Sequence, residues 1–278
     1  MEYSQHLMDA IGAALKAGEA ILKVYASDFD VETKADRSPL TLADKASHQI
    51  IKSSLKHHGL PAISEEGLDI DFEKRRQWPM MWIVDPLDGT KEFVKRNGEF
   101  TVNIALVEQQ YPVMGVVFAP VPDVLYAATV ELGAFKLSNA SLFGEGPSAS
   151  DVSGKNLSLI LQNAQKITCR SSWERPYTIV GSRSHGTSEL SVFVEHKRAE
   201  KGEVAFLQAG SSLKICLVAE GSADIYPRLG PTMEWDTAAG QAIAESAGGF
   251  VRTYDGGQRL CYNKPDLLNP WFVVEGEK

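Results

Sequence analysis

The 278-residue sequence predicts a chain of mixed structure in two sub-domains, an α+β half followed by an α/β half. Three observations predict it. Two amphipathic helical stretches lead into a run of short strands with alternating apolar positions. A Ser-, Gly- and Asn-rich segment then breaks the pattern at 138–172. Beyond it strands and helices alternate, the order that lays helices over a mixed or parallel sheet.

In the first half, Leu7, Ile11, Leu15 and Leu22 recur at helical spacing and predict a helix over 4–25. Asp9, Lys16, Glu19 and Lys23 interrupt it, so it reads neither as a signal peptide nor as a membrane span. A second helix is predicted over 41–59, with Ala46, Ile50, Ile51 and Leu55 on one face. Short strands are predicted at 62–64, 81–84, 101–107, 112–119, 124–130 and 134–137, divided by Pro, Gly and Asp turns, which makes an antiparallel meander. Within 101–107, Val102, Ile104 and Leu106 share one side. The segment 138–172, which includes SNASLFGEGPSASDVSGKN, reads largely as a loop or linker and divides the chain into 1–137 and 138–278. In the second half, strands at 177–181, 204–208 and 223–226 alternate with helices at 188–198, 211–219 and 235–247, the last closed by Gly248-Gly249.

Lys and Arg number 28 against 36 Asp and Glu, a net charge of −8, which argues against a nucleic-acid polymer or an anionic membrane as partner. Small phosphorylated ligands stay compatible, because a bound metal or a local cluster overrides the global field. The three cysteines (Cys169, Cys216 and Cys261) form no CxxC pair and sit beside no histidine ligands, which fits a reducing compartment. No run approaches the roughly 18 apolar residues of a membrane span. The sequence therefore predicts a cytoplasmic protein with no integral membrane segment, and it leaves oligomeric state undetermined.

The chemistry concentrates in Trp82-Ile83-Val84-Asp85-Pro86-Leu87-Asp88-Gly89-Thr90. An apolar strand runs into two carboxylates three apart, with Pro fixing the backbone between them. Hard cations such as Mg²⁺ take oxygen ligands, and two carboxylates on one tight turn can bridge two ions. The N–H groups of Gly89 and Thr90, opening a short helix, suit a phosphate. An Asp-Pro…Asp-Gly run is also an ordinary turn composition. Three further acidic positions have equally plain explanations. Glu65-Glu66 can be a solvated turn, Asp44 lies three residues after Thr41 as in a capping box, and Asp236 lies in the first turn of a helix, where its charge is favourable. Their occurrence together, in this order, is harder to dismiss.

Taken together, T-x-A-D (Thr41 to Asp44), S-E-E (Ser64 to Glu66), W-I-V-D-P-L-D-G-T (Trp82 to Thr90) and W-D-T-A-A-G (Trp235 to Gly240) resemble the inositol monophosphatase superfamily, over nearly the whole chain. The resemblance implies an αβαβα sandwich of two sub-domains and a Mg²⁺-dependent, Li⁺-inhibited phosphatase of small phosphate esters, using two or three ions. It implies metal ligands at Glu65, Asp85, the Leu87 carbonyl, Asp88 and Asp236, with Glu66 the poorer member of its pair. It further implies that Asp44 and Thr90 hydrogen-bond and, with Glu65, help hold the attacking water. No Cys or Ser motif suggests a covalent nucleophile.

Within the superfamily, Gly181-Ser182-Arg183-Ser184-His185, Gly210-Ser211-Ser212-Leu213-Lys214, Tyr226-Pro227-Arg228-Leu229-Gly230-Pro231-Thr232 and Glu234-Trp235-Asp236-Thr237 resemble bacterial 3′(2′),5′-bisphosphate nucleotidases. The substrate so implied is adenosine 3′,5′-bisphosphate, hydrolysed to AMP and phosphate, together with its sulfated precursor PAPS. An inositol monophosphate or a sugar bisphosphate is the alternative. Asp88, Gly89, Thr90 and Asp236 would meet the reacting phosphate, and Ser182, Arg183 and Ser211 would line the nucleotide pocket. Lys214 and Arg228 are candidates for the second phosphate, Arg offering a fixed fork of donors; either can equally be an ordinary solvated or surface-paired cation. Some relatives of this kind associate peripherally with the inner membrane face, and 34–39 matches a mobile loop of the family.

Overall fold

The apolar run leading into Asp85 forms a strand buried on both faces, and the rest of the fold is layered around it. In the computed structural model, residues 3–27, 31–33, 39–67, 69–144, 154–170, 176–182 and 188–276 are described. Helix α1 (Ser4–Tyr25) is followed by a hairpin of β1 (Val31–Thr33) and β2 (Pro39–Thr41), then α2 (Leu42–Leu55) and a 3-10 turn over Lys56–His58. Next come β3 (Ala62–Ser64), α3 (Phe72–Arg75), β4 (Met80–Asp88), α4 (Thr90–Val94), β5 (Thr101–Glu108), β6 (Tyr111–Ala119), β7 (Val124–Thr129) and β8 (Gly133–Ser138). The chain continues through α5 (Gly154–Asn163), β9 (Gln165–Ile167), β10 (Tyr177–Ser182), α6 (Ser188–Lys201), β11 (Val204–Ala209) and α7 (Leu213–Ala219). It ends with β12 (Ile225–Arg228), α8 (Ala238–Ser246), β13 (Gly249–Thr253) and β14 (Phe272–Gly276).

Strands β3 to β9 form a seven-stranded sheet in sequence order. It is antiparallel except at β3, which runs parallel to β4 because α3 lies on the crossover between them. Trp82, Val84, Ile104 and Leu106 point to one face, where they meet Leu7, Ile11 and Ile51 of α1 and α2. Met81, Ile83 and Val107 point to the other, where they meet Ile215, Val218 and Ile243 of α7 and α8. Strand β4 therefore reads as a continuous apolar run, because it has no solvent face.

The second sheet has five strands in the order β11-β10-β12-β14-β13, with β10 parallel to both its neighbours and β14 antiparallel to β12 and β13. Its Val180, Tyr226, Phe272 and Val274 close on α7 and α8 from the far side. Its other face, with Ile179 and Ile225, is covered by Phe193 of α6. The layers are thus helix, sheet, helix, sheet, helix, as expected. Helix α8 fits between two sheets because Ala238, Ala239, Ala242 and Ala244 are small. At one point nothing larger than hydrogen fits: a Cβ on Gly115 of β6 would lie 2.3 Å from the Ala239 carbonyl oxygen.

The reading of 138–172 as largely loop is corrected. Residues 154–163 form α5 and 165–167 form β9, which pairs with β8. Leu157 and Ile160, one turn apart, bury against the α1 face, a signal diluted in the sequence by flanking Ser, Gly and Asn. By strand pairing the first sheet thus runs past the 137/138 division. The meander also carries one parallel pair, β3 with β4, that the sequence did not suggest. Strands β13 and β14 were likewise not anticipated. Residues 34–38 of the supposed mobile loop, and Arg183, Ser184 and His185, lie outside the described residues.

Candidate active site

Asp85 and Asp88 are an odd number of residues apart, which in a regular strand puts them on opposite faces. In β4 they share one. Asp85 pairs with Asn103 and Asp88 with Thr101, so three steps on β4 match two on β5. The extra residue is a β-bulge at Pro86-Leu87, where a proline costs no ladder hydrogen bond. The bulge is held on both sides: Leu87 N donates to Asp85 Oδ1 at 3.0 Å, and Ser47 Oγ of α2 donates to the Pro86 carbonyl at 2.6 Å. Gly89 then turns the chain with φ +89°, and a Cβ there would press on the Glu99 carbonyl at 3.3 Å. Thr90 Oγ1 donates back to the Leu87 carbonyl at 3.3 Å.

The third carboxylate arrives from the second half. Asp236 ends a 3-10 turn, Glu234–Asp236, and accepts from Met233 N at 2.8 Å. Fully buried Glu234 anchors that turn by accepting from Asn263 N at 2.6 Å and from Lys264 Nζ at 2.6 Å. One oxygen from each of Asp85, Asp88 and Asp236 lies within 4.8 Å of the others. Ser212 joins the halves. Its Oγ accepts from Asn103 Nδ2 at 2.8 Å and lies 2.7 Å from Asp88 Oδ2 and 2.8 Å from the Asp236 carbonyl oxygen.

Burial, with Glu65, Asp88, Asp236 and Asp44 around it, holds the Asp85 carboxyl well above the ordinary carboxylate range. Burial and then Asp88 push Asp236 up to about 7. A protein gains nothing by confining like charges in this way unless a cation offsets them. The donors are all hard oxygens, which fits Mg²⁺ and does not fit a thiophilic metal. Glu65, Asp85, Asp88 and Asp236 line a cleft of about 570 Å³, and the same cleft is lined by Ser182, Ser211, Lys214 and Arg228.

The comparisons with known proteins follow this geometry. Residues 3–275 match the profile of the inositol monophosphatase family. The chain belongs to the inositol monophosphatase family. It is 42% identical over 265 residues to the 3′(2′),5′-bisphosphate nucleotidase CysQ of Escherichia coli K12, covering 94% of this chain and 96% of that protein. It is 43% identical over 266 residues to the CysQ of Salmonella typhimurium, covering 94% and 96%. The crystal structure of CysQ from Bacteroides thetaiotaomicron superposes with a TM-score of 0.88 at 46% identity, covering all of both chains. The SuhB structure from Bartonella henselae, at 24% identity and a TM-score of 0.74, shares the fold.

Within this family fold, the sequence-predicted residues separate into three groups. Glu65, Asp85, Leu87, Asp88, Gly89, Thr90 and Asp236 all line the cleft. Asp44 is fully buried behind Asp85 at the start of α2, close enough to raise its pKa. Lys214 and Arg228, with ordinary surface readings in the sequence, face the cleft instead. Lys214 is 5% exposed, its Nζ donates to the Ser211 carbonyl and lies 5.6 Å from the Tyr226 ring centre, and burial lowers its pKa to about 8. Arg228 donates to the Pro231 carbonyl at 2.7 Å, while its Nε, Ser211 Oγ and Thr232 Oγ1 are buried with no hydrogen-bond partner among the described residues. Sequence reasoning missed Asn103 and Ser47 and, although it quoted the runs that contain them, did not single out Ser212 or Thr232. Asn103 left a signal, a lone amide inside the apolar run Val102–Val107.

Proposed function

We propose that this chain hydrolyses the 3′-phosphate of adenosine 3′,5′-bisphosphate, giving AMP and inorganic phosphate, and of PAPS, giving adenosine 5′-phosphosulfate. The observation that carries the reading is one cleft lined by two sets of side chains, an acidic wall of Asp85, Asp88 and Asp236 and a basic wall of Lys214 and Arg228. A monophosphate ester needs only the first wall; a second anionic group gives the second wall its purpose. The CysQ proteins of Escherichia coli and Salmonella typhimurium are named bisphosphate nucleotidases, which supports the same substrate class.

Glu65, Asp85, Asp88, Asp236 and the Leu87 carbonyl are the groups that would hold Mg²⁺, as two or three ions. When bound, such ions neutralise phosphate charge and lower the pKa of water from about 15.7 toward roughly 7, and Li⁺ is expected to inhibit by competing for the acidic set. The chain's own residues provide position. Ser212 and Asn103 fix the Asp88 carboxylate. Glu65 and Thr90, with Asp44 behind them, orient the attacking water, whose oxygen bonds to phosphorus as the P–O3′ bond breaks. Glu65 receives one water proton, the ribose 3′ oxygen takes a proton from solvent water as it leaves, and Glu65 returns its proton to solvent, so the protons balance. Lys214, Arg228 and the unpartnered Ser211 and Thr232 hydroxyls take the 5′ group, while Ser182 borders the nucleoside. The net charge of −8 and the free cysteines fit a cytoplasmic setting, and no helix among the described residues is long and apolar enough to cross a membrane.

Phosphate release from adenosine 3′,5′-bisphosphate and inositol 1-phosphate, measured in parallel with Mg²⁺ and with or without Li⁺, tests this. Nucleotide preference lost with Li⁺ is expected. Preference for the inositol ester would retain the acidic site and discard the roles of Lys214 and Arg228.

A further inference from the structure

A second group of ligand-type side chains lies where α1 passes the end of α2, and none of its members lines the cleft. His6 and Asp9 are three residues apart on α1 and so share a face. His57 and His58 sit in the 3-10 turn that follows α2. His57 Nε2 lies 3.1 Å and His58 Nε2 3.0 Å from the same oxygen, Asp9 Oδ2, and all three atoms fall within 4.8 Å of one another. Tetrahedral zinc with bonds of about 2.0–2.1 Å separates its ligand atoms by about 3.3 Å, so the present spacings need little adjustment.

Hydrogen bonding alone accounts poorly for this arrangement. Three nitrogens, Gln5 Nε2 at 2.9 Å and the two imidazoles, converge on one Asp9 oxygen. The His58 side chain is only 8% exposed, yet its Nε2 makes no well-directed hydrogen bond. Its ring is held in plane by stacking on His6 at 4.3 Å and by Trp82 at 5.6 Å. Burial keeps the His6 and His58 pKa values below the ordinary imidazole value, so both rings are neutral, the form that coordinates metal. His57 is 58% exposed and leaves the group open to solvent on one side.

We propose that Asp9, His57 and His58 form a zinc-class metal site, with two imidazole nitrogens and one carboxylate oxygen as ligands and the fourth position open. Gln5 and His6 act as positioning residues, orienting the carboxylate and the His58 ring. The bound ion ties α1 to the end of α2. Two nitrogens in three donors suit Zn²⁺ or Co²⁺ and repel Mg²⁺, which prefers an octahedron of oxygens, so this site and the acidic cleft take different ions.

Calorimetric titration of the chelator-stripped full chain with Zn²⁺, in saturating Mg²⁺ to fill the cleft, tests the site. One equivalent is expected, retained in Asp88→Asn and weakened by at least about tenfold in both His57→Ala and Asp9→Asn. Co²⁺ in place of Zn²⁺ should give the visible absorption of a four-coordinate ion, lost in the same two variants. Exposed His57 can be replaced without disturbing the core, which circular dichroism verifies. Zn²⁺ binding unchanged in both His57→Ala and Asp9→Asn, binding abolished by Asp88→Asn, or no binding at all would each overturn the proposal.

Discussion

The two walls of the cleft hold opposite charges, and each does so against its own interest. On one wall, burial and neighbouring carboxylates raise the pKa values of Asp85 and Asp236. On the other, burial lowers that of Lys214 to about 8. The walls offset each other only in part: Asp88 and Asp236 favour the charged Lys214, and Arg228 the charged Asp236, yet burial outweighs them, while Ser212 and Asn103 hydrogen-bond Asp88 and the Ser211 carbonyl holds Lys214. On the proposed function, the difference assigns cations to the first wall and an anionic group to the second. A charge buried without its counterion costs stability in the empty protein, and the ligand returns that cost as affinity.

Removing a member of the acidic wall should have the largest effect. Asp88→Asn is expected to lower kcat/KM by on the order of 10³-fold or more, while circular dichroism shows the fold intact. Near-normal turnover would remove Asp88 from the ligand set. Breaking the basic wall should be more selective. Lys214→Met is expected to raise KM for adenosine 3′,5′-bisphosphate by about 10–100-fold, the loss of one charge-assisted contact worth about 1.5–3 kcal/mol, while 3′-AMP, which lacks the 5′ group, is little affected. An equal loss for both substrates would place Lys214 at the reacting phosphate.

The same wall gives a pH signature. Lys214 is charged below about 8, so the KM advantage of the bisphosphate over 3′-AMP should fall as pH rises through that value. Persistence of the advantage to pH 10 would rule out a role for the ammonium.

The acidic wall should respond in the other direction. Asp236 titrates higher in the fold, at about 7, than in the unfolded chain, so its contribution to stability is present at low pH and lost as pH rises toward 7. Mg²⁺ removes that loss, and the Mg²⁺-induced rise in melting temperature should therefore grow from about pH 4 to pH 7. A Mg²⁺ effect independent of pH would sink this reading. Ser212→Ala, which removes the hydroxyl between Asp88 and Asp236, should have the smallest effect, about tenfold in kcat.

The two walls were also unequally legible in the sequence. The acidic wall is local, since Asp85, Leu87, Asp88, Gly89 and Thr90 lie in one run whose composition already suggests a cation site. What no spacing rule reveals is the bulge that brings both carboxylates to one face. The basic wall depends on burial, and Lys214 looks like any helix-start lysine until Tyr226 and the second sheet close over it. Resemblance, not residue chemistry, pointed there. Helix α5 was hidden because Leu157 and Ile160 sit among Ser, Gly and Asn. Strands β13 and β14 were hidden because they pair only with β12 and each other, late in the chain. Asn103 and Ser212 show why polar positioning groups are hard to read: they bond each other across 109 residues of chain, a pairing no local pattern reveals.

The missing side chain at Gly115 works as a gauge. Helix α8 rests on bare backbone of the first sheet, and the turn that carries Asp236 sits immediately before that helix. The spacing of Asp236 from Asp85 and Asp88 is thereby referenced to a hard stop rather than to deformable side chains. A single methyl group at 115 falls about an ångström short of the room it needs. It would lift the helix and carry Asp236 away from Asp85 and Asp88, more than a small, rigidly coordinated ion tolerates. The calibration of the acidic cluster thus lies on a strand that contributes none of its carboxylates.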